Sequence, residues 1–191
     1  MPRKPDPTLK PAIIEKVARH LLDTKLEDVS VRSLGRVLGT SAYPIVYHFG
    51  SREALVQAVV EHLSADVEAR TLEPCADADA LADHLVAVFG GLDVRERALA
   101  ARLTFELGSV ESLDGRDHES RCHRRRVDEL AAWCRAHGRC PDEAERTARA
   151  LVEAARGAQW GALVDPEHTD VDAALRALAR DVTAGARLTA A

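Results

Sequence analysis

Between Ser30 and Arg52 the chain spaces hydroxyl, imidazole and guanidinium groups in a way that suits an anionic oxygen: Ser30 and Arg32, then Tyr47 and His48, then Arg52. Helix N-termini present unpaired N–H groups and partial positive charge. A hydroxyl or an arginine fork beside them adds hydrogen bonds to a phosphate. Between the two sets stand Ala42, Tyr43 and Pro44, whose apolar surfaces can meet a thymine methyl while the Tyr43 hydroxyl reaches a base edge or a phosphate. The plain alternatives are capping for Ser30 and packing for Tyr47.

Such residues need short helices to aim them. Ser30 is a good N-cap, and Val31, Leu34, Val37 and Leu38 repeat at helical spacing before Gly39, which supplies the positive φ that ends a helix. Ser41 can cap the next helix, which turns Ala42, Tyr43, Pro44 and Tyr47 outward and sets Ile45, Val46 and Phe49 inward. Ser51 restarts the chain as a third cap, ahead of a long helix with Leu55, Val56, Val59, Val60 and Leu63 on one side. Ala54 at its third position leaves no capping box there. Helix, tight turn and short exposed helix make a layout for DNA.

From about Lys10 to Glu68 these residues resemble the DNA-binding domain of TetR-type (tetracycline-repressor family) transcriptional regulators. The match lies in IIEKVARHLL, SVRSLGRVLG and TS followed by YHFGSREAL. It implies a three-helix unit continued by a long fourth helix, and it places Ser30, Arg32, Tyr47, His48 and Arg52 where such regulators touch phosphate. Base reading falls to Ala42, Tyr43 and Pro44. Tyr43 and Pro44 replace the small residue and Thr or Ser usual there, Val46 replaces a frequent Tyr, and Lys25 stands where a Gly is usual.

Charge follows the same division. The chain of 191 residues has a formal charge of −5, yet residues 1–52 carry nine basic against five acidic groups, a net +4 that leaves −9 for the remainder. A basic end that meets phosphate and an acidic body that does not are expected of a DNA-binding head on a separate regulatory domain. With 46% hydrophobic residues and few aromatics, the composition predicts an all-α protein with a real core. No apolar run is long enough to span a bilayer, and MPRKPDPTLK lacks the apolar centre of a signal peptide. A cytoplasmic location with no membrane partner is expected.

The reading along the chain is a flexible basic arm over 1–9, a helix-turn-helix DNA-binding domain over 10–52 with its first helix starting near Pro11, and a larger helical regulatory and dimerisation domain over 53–191. In the body, helical periodicity covers Leu81–Phe89, Arg95–Leu107, Ser120–His137, Asp142–Leu163 and Val171–Leu188, for about nine helices in all. The scarce large residues Phe89, Phe105, Trp133 and Trp160, with His84, Arg102 and Glu106, are candidates to line a pocket for a small-molecule effector. Core packing is the competing role for each. Ala154, Gly157, Ala158 and Gly161 allow close helix approach. With Leu175 and Leu178 they are the expected dimer interface, since in the family the last two helices pair between subunits.

Cys75, Cys122, Cys134 and Cys140, with His123 and His137, invite a metal or thiol reading. No paired-ligand motif supports it, and cysteines scattered through a helical body are usually small buried hydrophobes, so neither metal nor cofactor is expected. No catalytic constellation stands out. The sequence therefore points to a ligand-responsive transcriptional regulator, a repressor acting as a homodimer on a pseudo-palindromic double-stranded operator. The rival is an all-helical enzyme or adaptor that shares the fold.

Overall fold

The structure, a computed structural model, describes residues 8–41, 43–113 and 115–189. Among these the elements are α1 (Leu9–Leu21), α2 (Val31–Leu38), α3 (Tyr43–Phe49), α4 (Arg52–Glu68), α5 (Ala78–Phe89), α6 (Arg95–Gly108), α7 (His118–Ala136), α8 (Pro141–Val164) and α9 (Val171–Thr189). A short 3-10 turn, Leu26–Asp28, joins α1 to α2. The all-α architecture expected from composition is what forms. Most of the arm expected over 1–9 lies outside the described residues, and α1 begins at Leu9, ahead of Pro11.

Local signals explain the first unit. Ser30 accepts from the Ser33 amide at 3.0 Å, and the Ser33 hydroxyl accepts from the Ser30 amide at 2.8 Å, closing a reciprocal cap at the start of α2. Gly39, at φ 69°, ends α2 in the left-handed region. Ser41 accepts from the Tyr43 amide at 3.3 Å, and Ser51 accepts from the Ala54 amide at 3.1 Å. Pro44, early in α3, has no amide to leave unpaired.

Two apolar cores follow. The first packs Ile13, Val17, Leu21, Leu34, Ile45, Leu55, Val56, Val59 and Val60 with Leu99, Leu103 and Leu107 of α6. Burying each such side chain contributes about 1.5–3 kcal/mol. The packing unit thus continues past residue 52 into α4 and recruits α6. The second core joins α5, α7, α8 and α9 around Leu81, Leu85, Phe89, Leu130, Trp133, Leu151 and Leu175.

The helix α4 belongs to both halves. Its N-terminal part fills the first core, and its last turn is held by Arg126 of α7, which donates to the carbonyls of Val67 at 2.7 Å and Arg70 at 2.9 Å. Arg126 thus links α7 to the helix on which α3 rests.

Candidate nucleic-acid interface and interior cavity

On α3 the buried Ile45 and the half-buried Phe49 define the inner face. At 100° per residue Tyr43 and Tyr47 take the opposite face and Val46 stands at its border with the inner one. All three are exposed, at 69%, 60% and 52%. Val46 thus points outward, correcting the expectation that it anchors the helix, and it adds an aliphatic surface beside the two phenols. The rings of Tyr43 and Tyr47 stack at 5.7 Å, so the recognition face is a paired aromatic plate. Pro44 is half-buried at its edge, and Ala42 lies outside the described residues.

The flanking groups divide. Arg32 is exposed and makes no ion pair among the described residues, and His48 is half-buried with its ring edge-on to Tyr47 at 5.0 Å. Ser30 is exposed, but its hydroxyl is already used as the α2 cap. Arg52 turns inward. Its guanidinium donates to the carbonyl of Leu26 and pairs with Glu53 at 3.2 Å, bracing the turn after α1 against α4. Hydrogen bonds outweigh burial and lower the Glu53 carboxyl below its ordinary value: burial raises it, but the backbone, Arg52 and Ser51 pull it down. Arg52, expected to contact phosphate, is engaged in this bracing.

In the body a cavity of about 70 Å³ lies among α4, α5, α6, α7 and α8. Its apolar wall includes Val60, Leu63, Val67, Val88 and Leu92, and its polar wall includes Glu68, Arg97, His118, Glu119, Cys122, Arg125, Arg126, Arg156 and Gln159. Arg156 bonds Gln159 Oε1 at 2.9 Å and sits 5.3 Å from the centre of the Phe89 ring. Burial lowers the Arg156 pKa against the opposing charge of Glu119, and burial raises Glu119.

None of the residues expected to line an effector pocket lines this cavity. Trp133 is core, its indole N–H donating to the Ala76 carbonyl at 2.8 Å. Phe89 is core beneath Arg156, and His84 is buried with Nε2 3.5 Å from Glu129. Arg102 binds the carbonyls at the end of α1 and pairs with Glu106 at 3.5 Å. Phe105 and Trp160 meet edge to face at 5.4 Å, with Trp160 55% exposed on the outside of α8. Phe89 and Trp133 pack the core, whereas the polar wall of the cavity is made of arginines, carboxylates, an imidazole and a thiol.

Of the expected dimer residues, Ala154 and Gly157 are exposed, Ala158, Gly161 and Leu178 are partly buried, and Leu175 is fully buried in the second core. Leu175 is a core residue of its own chain. Ala154, Gly157, Trp160, Gly161 and Val164 fall within one third of the α8 circumference, an outward face of small and apolar side chains. Cys134 is buried as expected and Cys122 is half-buried, whereas Cys75 and Cys140 are exposed. His137 stacks on Trp133 at 3.9 Å.

No protein-family model and no curated protein sequence matches this chain. Solved structures do match in fold. SmeT, the repressor of a Stenotrophomonas maltophilia multidrug efflux pump, is 18% identical with a TM-score of 0.71, covering 92% of this chain and 89% of its own. BioQ, solved with its double-stranded DNA operator, is 19% identical with a TM-score of 0.63, over 92% of this chain and 98% of its own. A variant of TetR from Acinetobacter baumannii, in complex with minocycline, is 20% identical with a TM-score of 0.61, over 98% of this chain and 100% of its own. No helix of the described residues is long and apolar enough to cross a membrane.

Proposed function

We propose, on the premise that this chain has the TetR-type regulator fold, that it is a ligand-responsive transcriptional repressor which binds a pseudo-palindromic operator as a homodimer and is released by a small-molecule effector. The observation that carries this reading is the double membership of α4, whose N-terminal half packs under α3 and whose C-terminal half walls the interior cavity. An effector that binds one arrangement of the cavity better than another biases the position of α4, and with it the separation of two recognition helices. The operator in the BioQ complex and the minocycline bound to TetR support the two halves of this mechanism by analogy of fold.

In this reading α3 enters the major groove with Tyr43 and Val46 toward the bases and Pro44 at the edge. Ser30, Arg32, Ser41, Tyr47 and His48 flank it toward the phosphates. Two copies pair through α8 and α9, with the exposed face containing Ala154, Gly157 and Gly161 at the contact. A gel shift with DNA from upstream of the protein's own coding sequence tests the reading. A discrete, competitor-resistant complex of one dimer per site is expected, and binding that unrelated DNA competes away equally well refutes it.

A further inference from the structure

We propose that Glu68, His118 and Cys122 form a three-ligand site for a borderline divalent cation, Zn²⁺ foremost, whose remaining coordination position faces the interior cavity. The three residues come from two helices far apart in the chain, Glu68 in the last turn of α4 and the other two on α7. His118 and Cys122 share one face of α7 at i, i+4 spacing. Cys122 Sγ lies 3.6 Å from His118 Nε2 and 3.9 Å from Glu68 Oε1, and His118 Nε2 lies 3.7 Å from Glu68 Oε1. Bonds of about 2.0–2.3 Å at tetrahedral angles separate ligand atoms by about 3.3–3.8 Å, so this triangle is within a few tenths of an ångström of a zinc site before any side chain moves.

The surroundings fit the same chemistry. A thiolate, an imidazole and one carboxylate select a borderline cation over Mg²⁺ or Ca²⁺, which prefer all-oxygen sets. Behind His118, Nδ1 is 3.6 Å from Glu61 Oε1, the carboxylate–histidine pairing that orients metal-bound imidazoles. Glu111 fixes the start of α7, its carboxylate accepting from the amides of Glu119 at 2.9 Å and Ser120 at 3.0 Å. The cavity beside the site, about 70 Å³, suits an ion with one or two small ligands better than a drug-sized molecule, which needs about 300 Å³ or more. On binding, the Cys122 thiol loses its proton to solvent and the sulfur takes the metal.

The cation would tie the end of α4 to the start of α7. Its effect on DNA rests on the proposed function, whereas the site itself does not. The competing arrangement is a His118 ring held among Glu61, Glu68 and Glu119 with no metal at all.

The experiment titrates metal-free, full-length protein with Co²⁺ and then Zn²⁺ under reducing conditions. One equivalent of Co²⁺ per chain is expected, with a thiolate-to-cobalt charge-transfer band and the intense visible bands of tetrahedral Co²⁺, both erased by Zn²⁺. Cys122→Ser removes the charge-transfer band, His118→Gln and Glu68→Gln weaken binding by about tenfold or more, and Glu61→Gln weakens it roughly 10–100-fold. The double variant Cys75→Ser/Cys140→Ser keeps wild-type binding. Circular dichroism of each metal-free variant separates lost ligation from lost folding. Absence of the band, or its survival in Cys122→Ser, overturns the site. Fluorescence anisotropy with operator DNA then reads regulation: a change in affinity of about tenfold or more with Zn²⁺, abolished in Cys122→Ser, supports it, and an unchanged affinity overturns the regulatory half. A protein that binds Co²⁺ in this way yet never binds DNA refutes the functional reading and leaves the metal site standing.

Discussion

The guanidinium of Arg102 on α6 donates to the carbonyl of Leu21, 2.7 Å away at the last residue of α1, and to that of Thr24 at 3.2 Å. With Arg95 pairing Asp23 at 2.5 Å, α6 grips the C-terminal end of α1 through two arginines, while its own apolar face fills the first core. The first unit and the body thus share one packing core and a set of arginine contacts.

Arg102→Ala leaves the end of α1 without these donors. Removal of a charge-assisted hydrogen bond costs about 1–3 kcal/mol, and the loss should appear as a lower urea midpoint with an unchanged slope. Operator affinity should become less sensitive to effector, because the head no longer follows the body. Arg52→Ala should act the same way on stability through Leu26, while leaving the salt dependence of DNA binding at its wild-type slope. A shallower slope for Arg52→Ala would restore its phosphate contact.

The recognition face divides by chemistry. Tyr47→Phe should weaken specific and non-specific DNA alike if its hydroxyl meets the backbone. Tyr43→Ala removes a base-edge contact and one half of the stacked pair, and should cost about 1–3 kcal/mol on the true operator with little change on random DNA. Selection from a random DNA library with wild type, Tyr43→Ala and Val46→Ala reads this out. Identical consensus sequences from all three would remove base reading from this face.

Gly157 is the clean probe of dimerisation. A Cβ built there meets nothing within 4 Å in its own chain, whereas at Gly161 it meets Thr169 at 3.4 Å. Gly157→Leu should therefore fold normally and fail only where a second copy must approach, since overpacking a close helix contact costs about 1–3 kcal/mol. Sedimentation should show monomer at micromolar concentration. A dimer of wild-type stability would move the interface off α8.

Acid stability should depend on Glu129. Burial raises this carboxyl, but His84, Arg126 at 2.9 Å and the Leu72 amide at 2.5 Å outweigh burial and lower it from 4.5 to about 2. The folded state thus binds this proton less readily than the unfolded chain. The contribution is complete above the ordinary carboxylate range and is lost as pH falls from about 4.5 toward 2. Glu129→Gln should flatten the acid limb of the unfolding free energy, and a limb identical to wild type would assign the slope to other carboxylates.

The head was legible in the sequence because its signals are local. Ser30, Gly39 and Ser51 act on their immediate neighbours through caps and a positive φ, and the apolar spacing of α1, α2 and α4 sets which face each helix buries. Even within α3, Val46 stands at the border of the inner face, and only the packing leaves it exposed. The interior was decided by tertiary structure. Arg52 read as a phosphate contact and Arg102 as a pocket wall, and in the fold both reach backbone carbonyls at or after the end of α1. Leu175 read as interface and became core because α9 turns that face onto its own chain. Glu68, His118 and Cys122 have no spacing that marks them together. They converge only because the end of α4 packs against the start of α7, and a contact between residues so distant in the chain is written in packing energy rather than in any local pattern.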